Sequence, residues 1–188
     1  ILDLQTSDTT VTDGSVLGKI NFTAPDEASG TDAILLGASI EAVAEDTFDS
    51  STNATELVFK TGASAAATEK MKIASTGATT ITTEGNEDTL VLKSNDADAN
   101  AGPKLQFNRN SASPADDDFL GEIRFDGRDD AGQAVEYAKI AAKLQDASDG
   151  TEDIRLSLKS IVAGTERERV TIQPTEVVIN EDSQDLDF

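Results

Sequence analysis

The sequence predicts an all-β chain of tandem β-repeat units, and three observations carry that expectation. Apolar residues recur at period two rather than 3.6, in short runs bounded by Gly, Asn, Asp, Ser and Thr. The block Leu17-Gly18-Lys19-Ile20-Asn21-Phe22 returns as Leu120-Gly121-Glu122-Ile123-Arg124-Phe125. Aromatic residues are 4% of the chain and Trp is absent, so each copy owns few large core side chains. A core that one chain cannot fill points to an obligate oligomer.

Alternation places the strands of the first unit near Leu2–Gln5, Leu17–Thr23, Ile34–Val43, Leu57–Lys60, Met71–Ala74, Thr79–Thr83 and Leu90–Lys93. In the longest, Ile34, Leu36, Ala38, Ile40 and Ala42 share one face while Ser39 and Glu41 share the other. The segment Thr61–Ala74 carries Ala65-Ala66-Ala67, which allows a short helical turn before Met71 because alanine is the best helix former. The second set runs near Lys104–Asn108, Phe119–Phe125, Val135–Leu144, Ile154–Lys159, Arg169–Ile172 and Glu176–Ile179. Ala138, Ile140, Ala142 and Leu144 repeat the small-residue stripe, with Lys139 and Lys143 opposite.

The match extends from Leu57-Val58-Phe59-Lys60 against Leu156-Ser157-Leu158-Lys159 to Glu69-Lys70-Met71-Lys72-Ile73 against Glu168-Arg169-Val170-Thr171-Ile172. The offset falls from about 103 at Ile20 to about 98 at Ile81, so the length changes sit in polar turns. Leu2 and Leu4 match Leu90 and Leu92 at about 88, which implies an insertion of about 15 residues. The expected division is therefore 1–88 for one unit and 89–183 for the next, with a strand inserted near 104–108. Residues 184–188 start a third copy, since Leu186 and Phe188 follow Asn180-Glu181-Asp182 as Leu90 and Leu92 follow Asn86-Glu87-Asp88. Units in series suggest a rod.

Cys and His are both absent, which removes disulfides, thiolate nucleophiles, the usual zinc sites and every imidazole-based catalytic scheme. With 15 Lys and Arg against 36 Asp and Glu, the formal charge is −21, so nucleic acid and anionic membrane are repelled. Neither a membrane-spanning run nor a signal peptide is visible. The chain opens on Ile1-Leu2-Asp3-Leu4 without a start methionine, and reads as a segment of a longer polypeptide.

Acidic turns at Asp116-Asp117-Asp118, Asp126 to Asp130 and Asp146 to Asp153 offer the oxygen ligands that calcium takes. Asp126, Asp129, Asp130, Asp146 and Asp149 are the candidates, set against ordinary Asp/Gly turn chemistry. No Asp-x-Asp-x-Asp-Gly loop with a distal Glu is present, and the reading keeps no cofactor. Carboxylate pairs hydrolyse glycans at suitable spacing, but with Tyr137 as the one Tyr there is little to stack on a sugar. Asn21-Phe22-Thr23 and Asn53-Ala54-Thr55 match the glycosylation sequon, as chance allows in a Thr-rich chain. Lys70, Lys72, Arg167 and Arg169 alternate with apolar positions and are expected to pair with Glu69, Glu166 or Glu168 on a solvated face.

The Leu-Gly-x-Ile-x-Phe strand, the turns Asp126-Gly127-Arg128-Asp129-Asp130-Ala131-Gly132 and Asp149-Gly150-Thr151-Glu152-Asp153, and the Glu-Arg-x-x-Ile strand at Glu168 to Ile172 resemble the shaft repeats of tailed-phage fibre proteins, particularly of marine and cyanobacterial phages. The resemblance covers nearly the whole chain. The closing Val-Gly-Ile-Gly pattern frequent in that family is replaced by Gly77-Ala78-Thr79-Thr80-Ile81 and Thr175-Glu176-Val177-Val178-Ile179. The resemblance implies an elongated, intertwined homotrimeric β-rod, a non-enzymatic structural part of the virion tail outside the cell. Its implied partners are copies of itself, further fibre or tail proteins at its ends, and a host-surface glycan or protein met through a neighbouring tip. Nucleic acid and membrane insertion are not among them. The rival readings are a secreted surface or matrix filament of an acidic-proteome microbe and, with least support, a polysaccharide depolymerase.

Overall fold

The structure, a computed structural model, describes residues 1–24, 31–100 and 102–179, so the expected start of a third copy at 184–188 lies outside the described residues. The chain divides into two compact units, Ile1–Gly102 and Pro103–Phe188. In the first, β1 (Val16–Phe22), β2 (Ala38–Ala44), β3 (Thr55–Thr61), β4 (Thr68–Ile73) and β5 (Thr79–Ile81) form an antiparallel meander in chain order. In the second, β6 (Phe119–Arg128), β7 (Ala134–Asp146), β8 (Asp153–Val162), β9 (Thr165–Ile172) and β10 (Val177–Ile179) do the same. The described residues are all-β and contain no helix, including the turn allowed before Met71.

The registers of the two sheets correspond residue by residue. Gly18, Ile20 and Phe22 face Ala42, Ile40 and Ala38, just as Gly121, Ile123 and Phe125 face Ala142, Ile140 and Ala138. Leu57 and Phe59 oppose Ala42 and Ile40 as Leu156 and Leu158 oppose Ala142 and Ile140. Two irregularities also coincide: bulges fall at Val16/Gly18 and Phe119/Gly121, and again at Phe59/Lys60 and Leu158/Lys159, while the shifts at Phe125/Asp126 and Leu144/Asp146 belong to the second sheet alone. A bulge flips no neighbours but adds local twist and one unpaired residue, so a shared bulge pins a shared register.

Four sequence expectations need correction. The strand expected over Ile34–Val43 begins only at Ala38, because the Leu35 amide closes a turn on the Asp32 carbonyl and Gly37 donates to the end of β1 at Phe22. Leu2–Gln5, Leu90–Lys93 and the inserted strand at Lys104–Asn108 are not strands at all. Alternation marks side chains that can be sided, but a ladder needs a backbone partner, and these runs have none in the sheets.

The turn before each unit's first strand shows one conformation serving two residue types. Gly14 (φ 79°) and Asp117 (φ 71°) both lie in the left-handed region, and their amides donate to Ala44 and Leu144 respectively. The two-residue turn Ala163-Gly164 between β8 and β9 has positive φ at both positions (49° and 78°), the geometry of a type I′ hairpin. Alanine pays for that region with its Cβ, and Asn relieves the conflict. Ala163→Asn is expected to stabilise the fold by about 1 kcal/mol, read as a higher denaturation midpoint at unchanged m-value.

Candidate functional site

Each sheet has two chemically opposite faces, fixed by the period-two alternation and by pairing that puts partners on the same side. On the first sheet, Ile20, Phe22, Ile40, Leu57, Phe59, Met71 and Ile73 share the apolar face with Gly18, Ala38 and Ala42. The second sheet assembles its counterpart from Ile123, Phe125, Ile140, Leu156, Leu158, Val170 and Ile172 with Gly121, Ala138 and Ala142. These faces are not buried. Phe22 and Phe125 are each 54% exposed, and Ile20, Ile123, Leu158 and Ile172 exceed 40%. Among the described residues, the buried Ser39, Glu41, Val58, Ala141, Ser157 and Thr171 belong instead to the opposite faces, and Ala44, at the end of β2, is the one buried residue on an apolar face.

An extended segment crosses each apolar face at the glycine. A Cβ added to Gly18 would lie 2.8 Å from Leu4 Cβ and 2.9 Å from the Leu4 carbonyl oxygen. At Gly121 it would lie 2.9 Å from Phe107 Cβ. Glycine is required at both places because the crossing chain occupies the space of a side chain. Beside Phe107 the face opens into a hollow of about 310 Å³ walled by Leu120, Ile123, Ile140, Ala142 and Leu156. Arg109 ties the second crossing down, donating to the Phe119 carbonyl at 2.9 Å and pairing with Asp118 at 3.0 Å. In spatial role 104–108 is thus the counterpart of 1–5, at the same offset of 103 residues that relates Gly18 to Gly121.

The opposite faces carry ladders of ion pairs. Glu41 accepts from Ser39 Oγ at 2.8 Å and Lys60 Nζ at 2.7 Å, and the Lys60 bond holds its carboxyl below the usual range despite burial. Lys72 pairs with Glu56 at 3.0 Å, and that bond raises the lysine. On the second sheet Arg124, Glu136, Lys139, Glu166 and Lys159 form one chain of contacts across β6, β7, β9 and β8. The Lys139 bond, at 2.7 Å, lowers Glu166, and the same bond raises Lys139.

The signs set a pH window. Glu41 and Glu166 are depressed on folding, so their stabilisation is present above the unfolded carboxylate value, about 4.3, and is lost as pH falls through the folded values. Lys139 is raised, so its share is present below about 10.4 and is lost as pH rises through the folded value. The melting temperature is expected to be flat between these limits and to fall on both sides. Glu41→Gln should flatten the acid limb, which thermal melts across a pH series read directly.

The acidic candidates are scattered rather than gathered. Asp126 lies in β6 near Arg124, at 3.4 Å. Asp129 Oδ1 accepts from the amides of Ala131 and Gln133, while Asp130 is exposed in the same turn. Asp146 ends β7 and accepts from the Ser148 amide, the bond that lowers its carboxyl, and Asp149 is exposed in the turn that follows. Among the described residues no three carboxylates converge on a metal position. Of the expected partners Glu69 helps to raise Lys72, and the basic residues also find others. Lys70 pairs with Glu84, Lys72 with Glu56, Glu166 with Lys139 and Lys159, and Glu168 with Arg155, while Arg169 donates to Ser160. Bulges at β4 and β9 shift the charged side chains along the ladder, so linear alternation misassigns them.

No protein-family model and no curated protein matches the chain. Among solved structures it is similar to the carboxy-terminal domain of the bacteriophage T5 L-shaped tail fibre, with a TM-score of 0.65 and 7% identity over 98% of this chain and 86% of that one. The same domain solved with its intramolecular chaperone domain gives the same TM-score and identity, with 98% of this chain spanning 59% of the longer one. The fold of this chain is therefore that of a phage tail-fibre carboxy-terminal domain.

Proposed function

We propose that the chain is a structural segment of a phage tail fibre, a homotrimeric, virion-associated β-rod that spaces and displays a host-attachment tip and has no catalytic role. The observation that carries this reading is the pair of uncovered apolar faces on a fold shared with tail-fibre domains. The chain exposes 13907 Å². Two separate compact domains, each of half its 19.7 kDa, would expose roughly 10,000 Å² together. The excess is several times the roughly 800 Å² that one partner hides in a standard interface. Copies of the same chain are the natural cover, because a face of Ile, Leu and Phe interrupted by Gly and Ala lets like faces approach closely.

The matched registers and bulges support the reading of the two units as copies of one fold, and copies in series lengthen a rod without new chemistry. Length and symmetry then do the work, and the receptor is met by a neighbouring tip. Sedimentation equilibrium of the purified chain tests the proposal. A mass three times 19.7 kDa is the expected result. A stable folded monomer overturns it, and an open, concentration-dependent series of masses favours the filament alternative instead.

A further inference from the structure

We infer that Arg167, Arg169 and Ser160 form a binding site for a tetrahedral oxyanion, such as phosphate or sulfate, on the apolar face of the second sheet. The site takes its residues from the geometry of one sheet, and it rests on the proposed homotrimer for its closure. Phe125, Ala138, Ser160 and Arg167 stand opposite one another across β6, β7, β8 and β9, so Arg167 shares the face of Phe125. Arg169 is the unpaired residue of the β9 bulge, and its Nε donates to Ser160 Oγ at 3.1 Å. That bond brings its guanidinium to the same side.

Neither arginine meets an acid there. Glu166 and Glu168, their neighbours on β9, turn to the opposite face and hold Lys139, Lys159 and Arg155. Among the described residues no carboxylate pairs with Arg167 or Arg169, and Arg169 Nη1 is buried without an acceptor. A buried guanidinium nitrogen left unbonded is unfavourable, and a charge-assisted bond to an oxyanion is among the strongest remedies. The three rows of this face, from Gly121 to Ile172, from Ile123 to Val170 and from Phe125 to Arg167, contain no carboxylate. Cyclic symmetry sets equivalent residues at equal height, so closure of the trimer brings further arginines to this level rather than an acid. Unpaired charge in a closed interior is strongly unfavourable, and a free anion neutralises it. The planar fork of arginine fits two oxygens of phosphate or sulfate at once, and Ser160 Oγ, which accepts from Arg169, keeps its own O–H for a third. The first sheet supplies the contrast. Thr68 opposite Thr61 stands where Arg167 stands opposite Ser160, and Lys70, the unpaired residue of the β4 bulge, already holds Glu84 at 3.1 Å.

Thermal melts of the full chain in low-millimolar sodium phosphate, sodium sulfate or sodium chloride, at equal ionic strength, test the site. Phosphate and sulfate are expected to raise the melting temperature saturably, by roughly 2 to 4 °C over chloride. The gain should disappear in Arg169→Met and in Arg167→Met, persist in part in Arg169→Lys, and survive whole in Lys70→Met. General stabilisation by these salts acts on every variant alike, so the difference between variants reports the site. The sign in chloride alone separates a free anion from a carboxylate of the protein. There Arg169→Met is expected to leave the melting temperature unchanged or to raise it, because an uncompensated charge is removed. A fall means that a carboxylate of the chain holds Arg169, and overturns the inference. An equal response to all three salts, or a gain that Arg169→Met retains, overturns it as well. Sedimentation on the same samples keeps the two readings apart: a trimer without the oxyanion gain refutes the site alone, whereas a monomer that shows the gain refutes the fibre alone.

Discussion

Leu158→Asp is expected to abolish assembly while costing the isolated chain little. Leu158 lies in β8 at the middle of the second apolar face, 41% exposed in one chain, opposite Ile140 and Val170. In a single chain the new carboxylate keeps contact with water, and the lost strand propensity and cross-strand contacts cost about 1 kcal/mol. In a trimer three copies of it meet in a closed apolar interior. Burying an unpaired charge costs several kcal/mol, and symmetry imposes it once per chain. The measurement is the sedimentation mass beside the circular dichroism spectrum: strand signal with a collapsed mass is the expected pair of results. Glu152→Gln in the exposed β7–β8 turn should leave both unchanged. A Leu158→Asp chain that still assembles would refute the apolar face as the interface.

Why the faces were legible is a matter of register. Ile20, Phe22, Ile40 and Ala42 declare themselves in the sequence because strand side chains alternate strictly, and a one-residue slip would send all of them to the ion-pair face. The same strictness made the internal match readable, and Leu57 and Phe59 do occupy the positions that Leu156 and Leu158 occupy in the other sheet. Alternation says nothing about pairing, however. Leu90 and Leu92 alternate as well as Ile123 and Phe125 do, yet the structure gives them no ladder and leaves them 62% and 45% exposed. The insertion inferred at 104–108 had the same origin. Leu2 and Leu4 align by composition with Leu90 and Leu92, but the geometry pairs Leu4 with Phe107, since each lies on the glycine of its own sheet.

Ion-pair partners were less legible still, for a different reason. A bulge adds one residue to one strand only, so Lys60 stands opposite Glu69 although Phe59 stands opposite Met71. No local pattern announces a bulge in advance. The charges therefore looked like a solvated fringe, whereas Lys139 joins Glu136 on its own strand to Glu166 two strands away. Asp129 and Asp146 spend their oxygens on the amides of their own turns, which is the reason turns select Asp.

Gly121→Ala is expected to be among the most damaging single-methyl additions in the chain. The added Cβ would stand 2.9 Å from Phe107 Cβ and 3.2 Å from its Cγ, and the first of these atoms moves only with its backbone. The crossing segment is held beside it by the two Arg109 contacts at Phe119 and Asp118, so it cannot simply swing away. Overpacking of this kind costs about 1 to 3 kcal/mol per site, and in an oligomer every copy bears it at once. Gly18→Ala should behave alike, since its Cβ meets the Leu4 carbonyl oxygen at 2.9 Å, a backbone atom. Ala at Gly132, where nothing lies within 4 Å, removes sterics and isolates the cost of positive φ, about 1 to 2 kcal/mol. Denaturant titrations of the three variants separate the causes. Trimming Phe107 to Ala should recover little of the Gly121→Ala loss, because its Cβ remains; removing Arg109 should recover more, because the segment is then free to lift. Full recovery by Phe107→Ala, or a Gly121→Ala variant as stable as the parent, would show that the crossing does not bear on Gly121 in the assembled protein.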